Sequence, residues 1–447
     1  LQIRAGVDGN LKEIRLTTLS ANIQGALKAQ ASGKISLPLD SIRRNGSVNL
    51  EVETGNLAFV ETMMEGIVLP HGMKLNGEAR INGSRLGTDL QFLPGRKANV
   101  SVKADYDMQK EAYLFDLNVD SLNLHRFMPH DSIFGLSATI HAEGEGMDFF
   151  SPRTRAMLKT EVSHFRYGSL VFSGVTLTAG LQRSQASALL NINNRALDVS
   201  AELQALLHPN LVKADLNTNI RLLDWQELAL MNTPFRSSMN IEVHAQTDMK
   251  QRHSARTTIS GIQLATAERT FKTKDLHAGF NMAPDSVRGY VNAGDLTFLF
   301  RTANSLEKFM NKTDRIAQEF SAQWKKKHIN QQLLKEIMPT AQLKIFSGSD
   351  NPVANFLAAQ HISYNRLRAN FSMSPEKGLD GSIDLFGLHT DSLQLDTIYF
   401  RASQDSARLQ FNSGVKALAS KRQEAFNISL NGYIGSTDAQ MLIGYLN

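Results

Sequence analysis

A period-two alternation of apolar and polar residues constrains this chain more than anything else in it. Val48, Leu50 and Val52 fall on one side of their segment, as do Ile35, Leu37 and Leu39 of the segment before it. The same phase runs through Tyr113, Phe115, Leu117 and Val119, and through Val212, Ala214, Leu216, Thr218 and Ile220. It returns at Ile383 and Leu385, and at Leu393 and Leu395. Such a period puts successive side chains on opposite faces of a β-strand. One face carries Val, Ile, Leu and Phe and is dry; the other carries Asp, Asn, Ser, Thr, Lys, Glu and Arg and is wet. Between the runs stand Asn45-Gly46, Asn76-Gly77, Asn82-Gly83, Pro94-Gly95, Gly144-Glu145-Gly146, Asp380-Gly381 and Asn431-Gly432. We read these as the turns of an antiparallel meander.

An imperfect repeat lies over this pattern: an alternating strand, a polar turn, then a leucine-led segment. It occurs around residues 47–64, 114–128 and 213–231, and more loosely at 289–310. Each leucine-led segment is expected to form a short helix or turn that covers an edge of the dry surface, with Leu122, Leu124, Phe127 and Met128 doing so in the second copy. One region differs. Leu306, Phe309, Met310, Ile316, Phe320 and Trp324 have helical spacing. Asn304 or Ser305 is placed to cap the start, and Pro339 marks the stop. Residues 323–325 are a possible bend, so one amphipathic helix and two are both compatible with the spacing. The expected organisation is a repetitive β-groove segment over 1–301, a helical insertion over 302–339, and a continuation of the groove over 340–447.

Catalytic and metal-binding patterns are missing from this framework. The chain has no cysteine, which removes disulfides, thiolate metal sites and cysteine nucleophiles. No two histidines are three or four residues apart, the spacing of a helical metal site. His141 and Glu145, and His244 and Asp248, have that spacing, but on a strand it does not bring a pair together. Ser305-Leu-Glu-Lys308 followed by Ser349-Asp-Asn351 imitates two motifs of penicillin-recognising enzymes. The third, Lys-Thr-Gly, does not follow, so the match is read as chance. The net charge of +5 is thin over 447 residues, and no basic patch interleaved with stacking aromatics is visible along the chain, so nucleic acid is not expected as a partner. No enzyme activity, cofactor or metal is expected.

Many antiparallel strands with one dry face can close that face with a second sheet, as in a sandwich, or on themselves, as in a barrel. They can also curl into an open gutter. A gutter's dry face cannot be filled by its own side chains, so it implies a ligand. An acyl chain matches: each buried methylene contributes about 0.8 kcal/mol, so about sixteen carbons gain on the order of 10 kcal/mol before entropy costs. The fold expected is therefore all-β: an elongated, curled antiparallel sheet with short edge helices and one longer amphipathic helix. The candidate lining residues are Leu50, Val52, Phe115, Leu117, Val119, Leu216 and Ile220. The competing reading is a β-rich envelope scaffold or adhesin segment with a self-filled core. An outer-membrane barrel would need aromatic girdles, and 7% aromatics with two Trp argue against it.

Leu343-Lys-Ile-Phe346, Asn351-Pro-Val-Ala-Asn-Phe-Leu357, Ile362 to Phe371 and Gly378-Leu-Asp-Gly-Ser-Ile-Asp-Leu385 resemble, in strand pattern and leucine-led turns, the AsmA-like and TamB family of Gram-negative envelope proteins, in its Bacteroidetes form. The resemblance implies a periplasmic β-groove anchored to the inner membrane. It also implies transport of phospholipid to the outer membrane, or assembly of outer-membrane proteins with a barrel partner. Leu1 already stands in an alternating run, so the sequence is expected to be an internal piece. The membrane anchor and the region that meets the barrel assembly protein are expected to lie outside it.

Overall fold

A computed structural model describes residues 2–62, 66–95, 97–419 and 423–447. The chain is all-β and antiparallel, and it divides into two compact units. The first holds residues 1–208 with 227–230, and the second holds 209–226 with 231–447. The division falls at Pro209-Asn210, a tight turn with no linker character.

The strands of the first unit are β1 (Gln2–Asn10), β2 (Glu13–Ile23), β3 (Leu27–Ser36), β4 (Asn45–Thr54), β5 (Lys74–Asn82), β6 (Arg85–Leu93) and β7 (Asn99–Asp107). They continue with β8 (Ala112–Asn123), β9 (Ile133–Glu145), β10 (Arg155–Tyr167), β11 (Leu170–Phe172), β12 (Val175–Gln182), β13 (Gln185–Asn193) and β14 (Leu197–His208). Each pairs with its sequence neighbour, except that β11 and β12 both pair with β10, one after the other. A short helix α1 (Ala58–Glu61) follows β4, and a 3-10 turn (Leu124–Arg126) follows β8.

The second unit begins with β15 (Leu211–Asp224), β16 (Phe235–Thr247), β17 (His253–Thr266), β18 (Thr270–Lys272), β19 (Leu276–Ala283), β20 (Ser286–Ala293) and β21 (Leu296–Thr302). It goes on through β22 (Ala341–Ser347), β23 (Arg366–Ser374), β24 (Gly378–His389), β25 (Gln394–Gln404), β26 (Leu409–Ala417), β27 (Phe426–Ile434) and β28 (Ala439–Leu446). Helices α2 (Leu306–Lys325) and α3 (Gln331–Glu336) separate β21 from β22, and α4 (Pro352–Ala359) follows β22. The 302–338 segment is thus two helices, broken where Lys327 takes a left-handed φ of 57°.

Strands β15–β21 repeat the plan of β8–β14. Both series open with a strand bulged near its end, after Val119 and after Ile220. In both, a long third strand is met by a return strand in two pieces, β11 with β12 and β18 with β19. Asp116 faces His141 in the first series and Asp215 faces His244 in the second, which fixes the residue-by-residue equivalence of the two.

The connections differ at the two ends of each sheet. At one end, which in the second unit also carries the α2–α3 insertion, Asp side chains close several of the short turns. Asp40 accepts from the N–H groups of Ile42 and Arg43, Asp107 from Gln109 and Lys110, Asp248 from Lys250, Gln251 and Arg252, and Asp405 from Ala407 and Arg408. Such turns need an Asx oxygen rather than glycine. The bonds hold the carboxyls of Asp248 and Asp405 below the ordinary range, the N–H of Arg252 acting most on the first and that of Ala407 on the second. At the opposite end lie the leucine-led segments, and they pack. In the first unit Ala26, Leu57 and Met73 are buried, with Val60, Phe92 and Phe127 against them. Met63 and Met64, which end that leucine-led segment, lie outside the described residues. In the second unit Phe235, Ile262 and Leu264 are buried against Trp225, Met231, Phe271 and Phe356 of α4. The Phe235 ring meets Trp225 and Phe356 edge-on, at 5.7 and 5.5 Å.

Several glycines expected in turns lie inside strands instead. Asn82-Gly83 and Pro94-Gly95 do turn the chain, but Gly46, Gly77, Gly144, Gly381 and Gly432 are strand residues. The reason is close approach rather than turning. The Phe371 ring lies over Gly381 and the Phe411 ring over Gly432, where any Cβ would overlap the ring. An aromatic laid across a facing glycine covers the gap that the glycine leaves in the apolar face.

Truncating Phe235 to Ala removes a fully buried ring from a packed cluster, so it is expected to cost about 3–5 kcal/mol in denaturant unfolding, whereas half-exposed Leu117→Ala costs less. Asp248 has a lowered folded pKa, so its stabilisation is present above the unfolded pKa and is lost as pH falls through the folded one. Asp248→Asn should therefore lower the thermal midpoint at pH 7, and the difference should narrow below about pH 4.

Candidate functional site: the apolar face

Register places the candidate lining residues. Leu50 faces Gly77, Gly77 faces Leu90, Leu90 faces Val102, and Val102 faces Leu117. Leu50 and Leu117 therefore share one row across five strands. Val52, Leu75, Phe92, Val100 and Val119 form the next row, and Phe115 continues the row of Val48, Ala79, Thr88 and Ala104. In the second unit Leu216 faces Val243, and that row runs on through Thr257, Ala278, Val291, Phe298 and Ile345. Ile220 faces Met239 on the same face. The five residues of the first unit thus lie on one face of it, and the two of the second on one face of theirs.

That face is half covered. Leu50, Val52, Phe115, Leu117, Leu216 and Ile220 are all partly exposed, and Val119, at 6% exposure, is buried. A sandwich core would bury such a face almost completely. Here Ile14, Val48, Leu86 and Phe280 on the same faces remain exposed. The chain presents 27287 Å² to solvent, against about 20,000 Å² for two compact units each of half its mass. In each unit the packed clusters seal one end of the strands. In the second the α2–α3 insertion packs at the opposite end, where Ile329, Leu334 and Met338 are buried. In the first no helix or second sheet among the described residues lies over the middle and opposite end. There, in the first unit, an open groove of about 260 Å³ is lined by Ile14, Leu16, Ile35, Val48, Ile81 and Leu86 with almost no polar surface. None of these six is among the candidate lining residues, although they follow the same alternation.

Helix α2 covers part of the second unit's face. Phe309 meets Phe300 of β21 edge-on at 5.4 Å, and Ile316 and Phe320 are half-buried on the same stripe. Next to that stripe Leu306, Met310 and Trp324 stay exposed. The base of the insertion is tied down: Gln331 donates to the Ile434 carbonyl at 2.9 Å and accepts from Gln404 at 2.7 Å, and the N–H of Ile329 donates to the Ser436 carbonyl at 2.7 Å.

The enzyme-like motif dissolves into helix caps. The Ser305 hydroxyl accepts from the N–H of Lys308 and starts α2. Asn351, fully buried, accepts from the N–H of Ala354 and starts α4, while its amide donates to Asp295 at 2.8 Å and to Ser347 at 3.0 Å. The histidines do find carboxylates, but across strands. His141 Nδ1 lies 2.6 Å from Asp116 and His244 Nδ1 lies 2.5 Å from Asp215, both on the polar face. A search along the chain for four-residue spacings could not reveal these pairs. The signal was the repeat itself, Asp-Leu-Asn at 116–118 and 215–217. Among the described residues no group of three His, Cys, Asp or Glu side chains is placed to hold a metal ion, and no helix is long and apolar enough to cross a membrane.

With no native cysteine, single-cysteine variants report each face directly. A spin label at Leu117→Cys is expected to be protected from a water-soluble relaxation agent and relaxed by an apolar one, and a label at Asn118→Cys is expected to show the reverse. Equal accessibility would mean that the two faces are not distinct. Comparison of the chain with protein-family models, with curated proteins and with solved structures finds no match.

Proposed function

We propose that the chain holds acyl chains of phospholipid along its apolar face. We place it in the periplasm of a Gram-negative bacterium, in a longer protein anchored to the inner membrane, where it serves phospholipid transport to the outer membrane or the assembly of outer-membrane proteins. One observation carries the reading: rows of apolar side chains continue from strand to strand across each unit, and no second sheet covers them, the end clusters and α2 leaving much of each face half-exposed. A surface of that kind is rare on soluble proteins unless it has an occupant. Acyl chains suit it because they need apolar contact and no polar partner, and the lining of the first unit's groove offers almost none. The scaffold reading draws on the two packed clusters, which are self-filled, but they account for one end of the strands only.

Native mass spectrometry of the purified protein, followed by solvent extraction, tests the proposal. Bound phospholipid is expected. Leu117→Asp and Leu216→Asp should each reduce the lipid recovered while leaving the circular dichroism of the strands unchanged, because both positions are half-exposed and a charge there can reach water. Val119 is the wrong place for this test, since a buried aspartate would unfold the sheet. A lipid-free protein that is well folded and monomeric would favour the self-filled scaffold.

A further inference from the structure

The polar faces of the two repeats are an internal control on each other. Counted from the Asp–His pair, one row of the first repeat reads Leu114, Glu143, Met157, Gly180, Ser187 and Gln204. The equivalent row of the second reads Lys213, Gln246, Ser254, Asn281, Arg288 and Arg301. The backbone plan is the same, so the fold does not require these cations. The second repeat has nonetheless placed three of them where the first has leucine, serine and glutamine. The neighbouring row holds Lys344 and Arg256, the latter answering Lys159 of the first repeat. All five cations are exposed, and none forms an ion pair with a described residue. The one carboxylate among them, Asp215, is engaged by His244.

Two features make this band more than a soluble surface. Arg288 and Arg301 face each other directly across β20 and β21, and like charges in register destabilise a sheet unless an anion lies between them. The band also borders a hollow of about 640 Å³, lined by Lys213, His244, Arg256, Arg288 and Tyr290 among others. Its shape selects the partner. Across the seven successive strands from β15 to β22 it is about 30 Å long but only two residues wide. Glu242 borders it on one side, and Asp248 and Asp285, in the connecting turns, border it on the other. A membrane plane would meet those carboxylates, whereas one extended chain would not. Gln246, Asn281 and Gln342 lie between the cations, where their amides can bond a peptide backbone.

We propose that the polar face of β15–β22 is a docking site for an extended acidic peptide segment of a partner protein, its carboxylates on Arg288, Arg301 and Arg256. The site is independent of the apolar face and of the lipid reading.

The test uses fluorescence anisotropy with a labelled peptide of alternating glutamate and serine, and, in separate arms, a single-stranded oligonucleotide and anionic phospholipid vesicles. Saturable binding of the peptide that weakens as salt rises is expected. Replacing both arginines by their first-repeat counterparts, Arg288→Ser with Arg301→Gln, should weaken it by about tenfold or more. The same variant should be at least as thermally stable as the parent, since it removes a repulsion. The converse variant, Ser187→Arg with Gln204→Arg, should gain peptide binding in the first unit. Absence of peptide binding, binding unchanged in both variants, or preference for the oligonucleotide or the vesicles would overturn the proposal.

Discussion

Everything in this molecule follows from how an antiparallel sheet disposes of an apolar face when no second sheet lies over it. Backbone hydrogen bonds are complete within the ladder, so the strands need no further partner for their polar groups. Their side chains do need one. A residue on such a face loses water only to its row neighbours and to whatever the sheet's own curl brings near. That explains why Leu50, Phe115 and Leu216 come out half-exposed, and why buried residues gather into clusters at particular places. Those places are the ends where leucine-led segments turn back over the strands, around Met73 in one unit and Phe235 in the other. The helices serve the same need: α4 brings Phe356 to the second cluster, and α2 brings Phe309 to Phe300.

The two ends of each sheet have correspondingly different chemistry. An Asx turn costs few residues and buries nothing; its stabilisation comes from charge-assisted bonds between a carboxylate and two or three backbone N–H groups. The opposite end carries the leucine-led connections and the two hydrophobic clusters, with Trp225 and Phe356 packed edge-on against Phe235 in the second. The first unit's groove is sealed at one end and open at the other, which is the arrangement that acyl chains with solvated headgroups require under the proposed function.

How much of this could be read from the chain depends on whether the signal runs along it or across it. Alternation runs along it. The all-β fold, the faces of Leu50, Leu117 and Leu216, and the covering role of Phe127 were therefore legible, as was the cap at Ser305. Glycine was misleading, because the same residue serves a turn at Gly83 and a ring contact at Gly381, and only the strand opposite distinguishes them. The break at Lys327 depends on a left-handed backbone that spacing alone does not encode. Cross-strand chemistry was invisible for a simpler reason. Asp116 meets His141, and Arg288 meets Arg301, only after the register is known, so a charge count along the chain reports a thin +5 where the second unit in fact carries a concentrated band.

Strict alternation also decouples the two faces. Because successive side chains point to opposite sides, the apolar rows can be held constant by packing while the polar rows change at little cost to the fold. The two repeats show the result. The dry positions stay dry, Leu117 answering Leu216 and Ile140 answering Val243, while on the other face Leu114 has become Lys213 and Ser187 has become Arg288. A sheet that binds through one face is thus free to acquire a second surface on its reverse without disturbing the first. Lys213, Arg288 and Arg301 lie where that freedom is greatest, on exposed positions whose counterparts in the first repeat, Leu114, Ser187 and Gln204, are uncharged side chains in the same ladder.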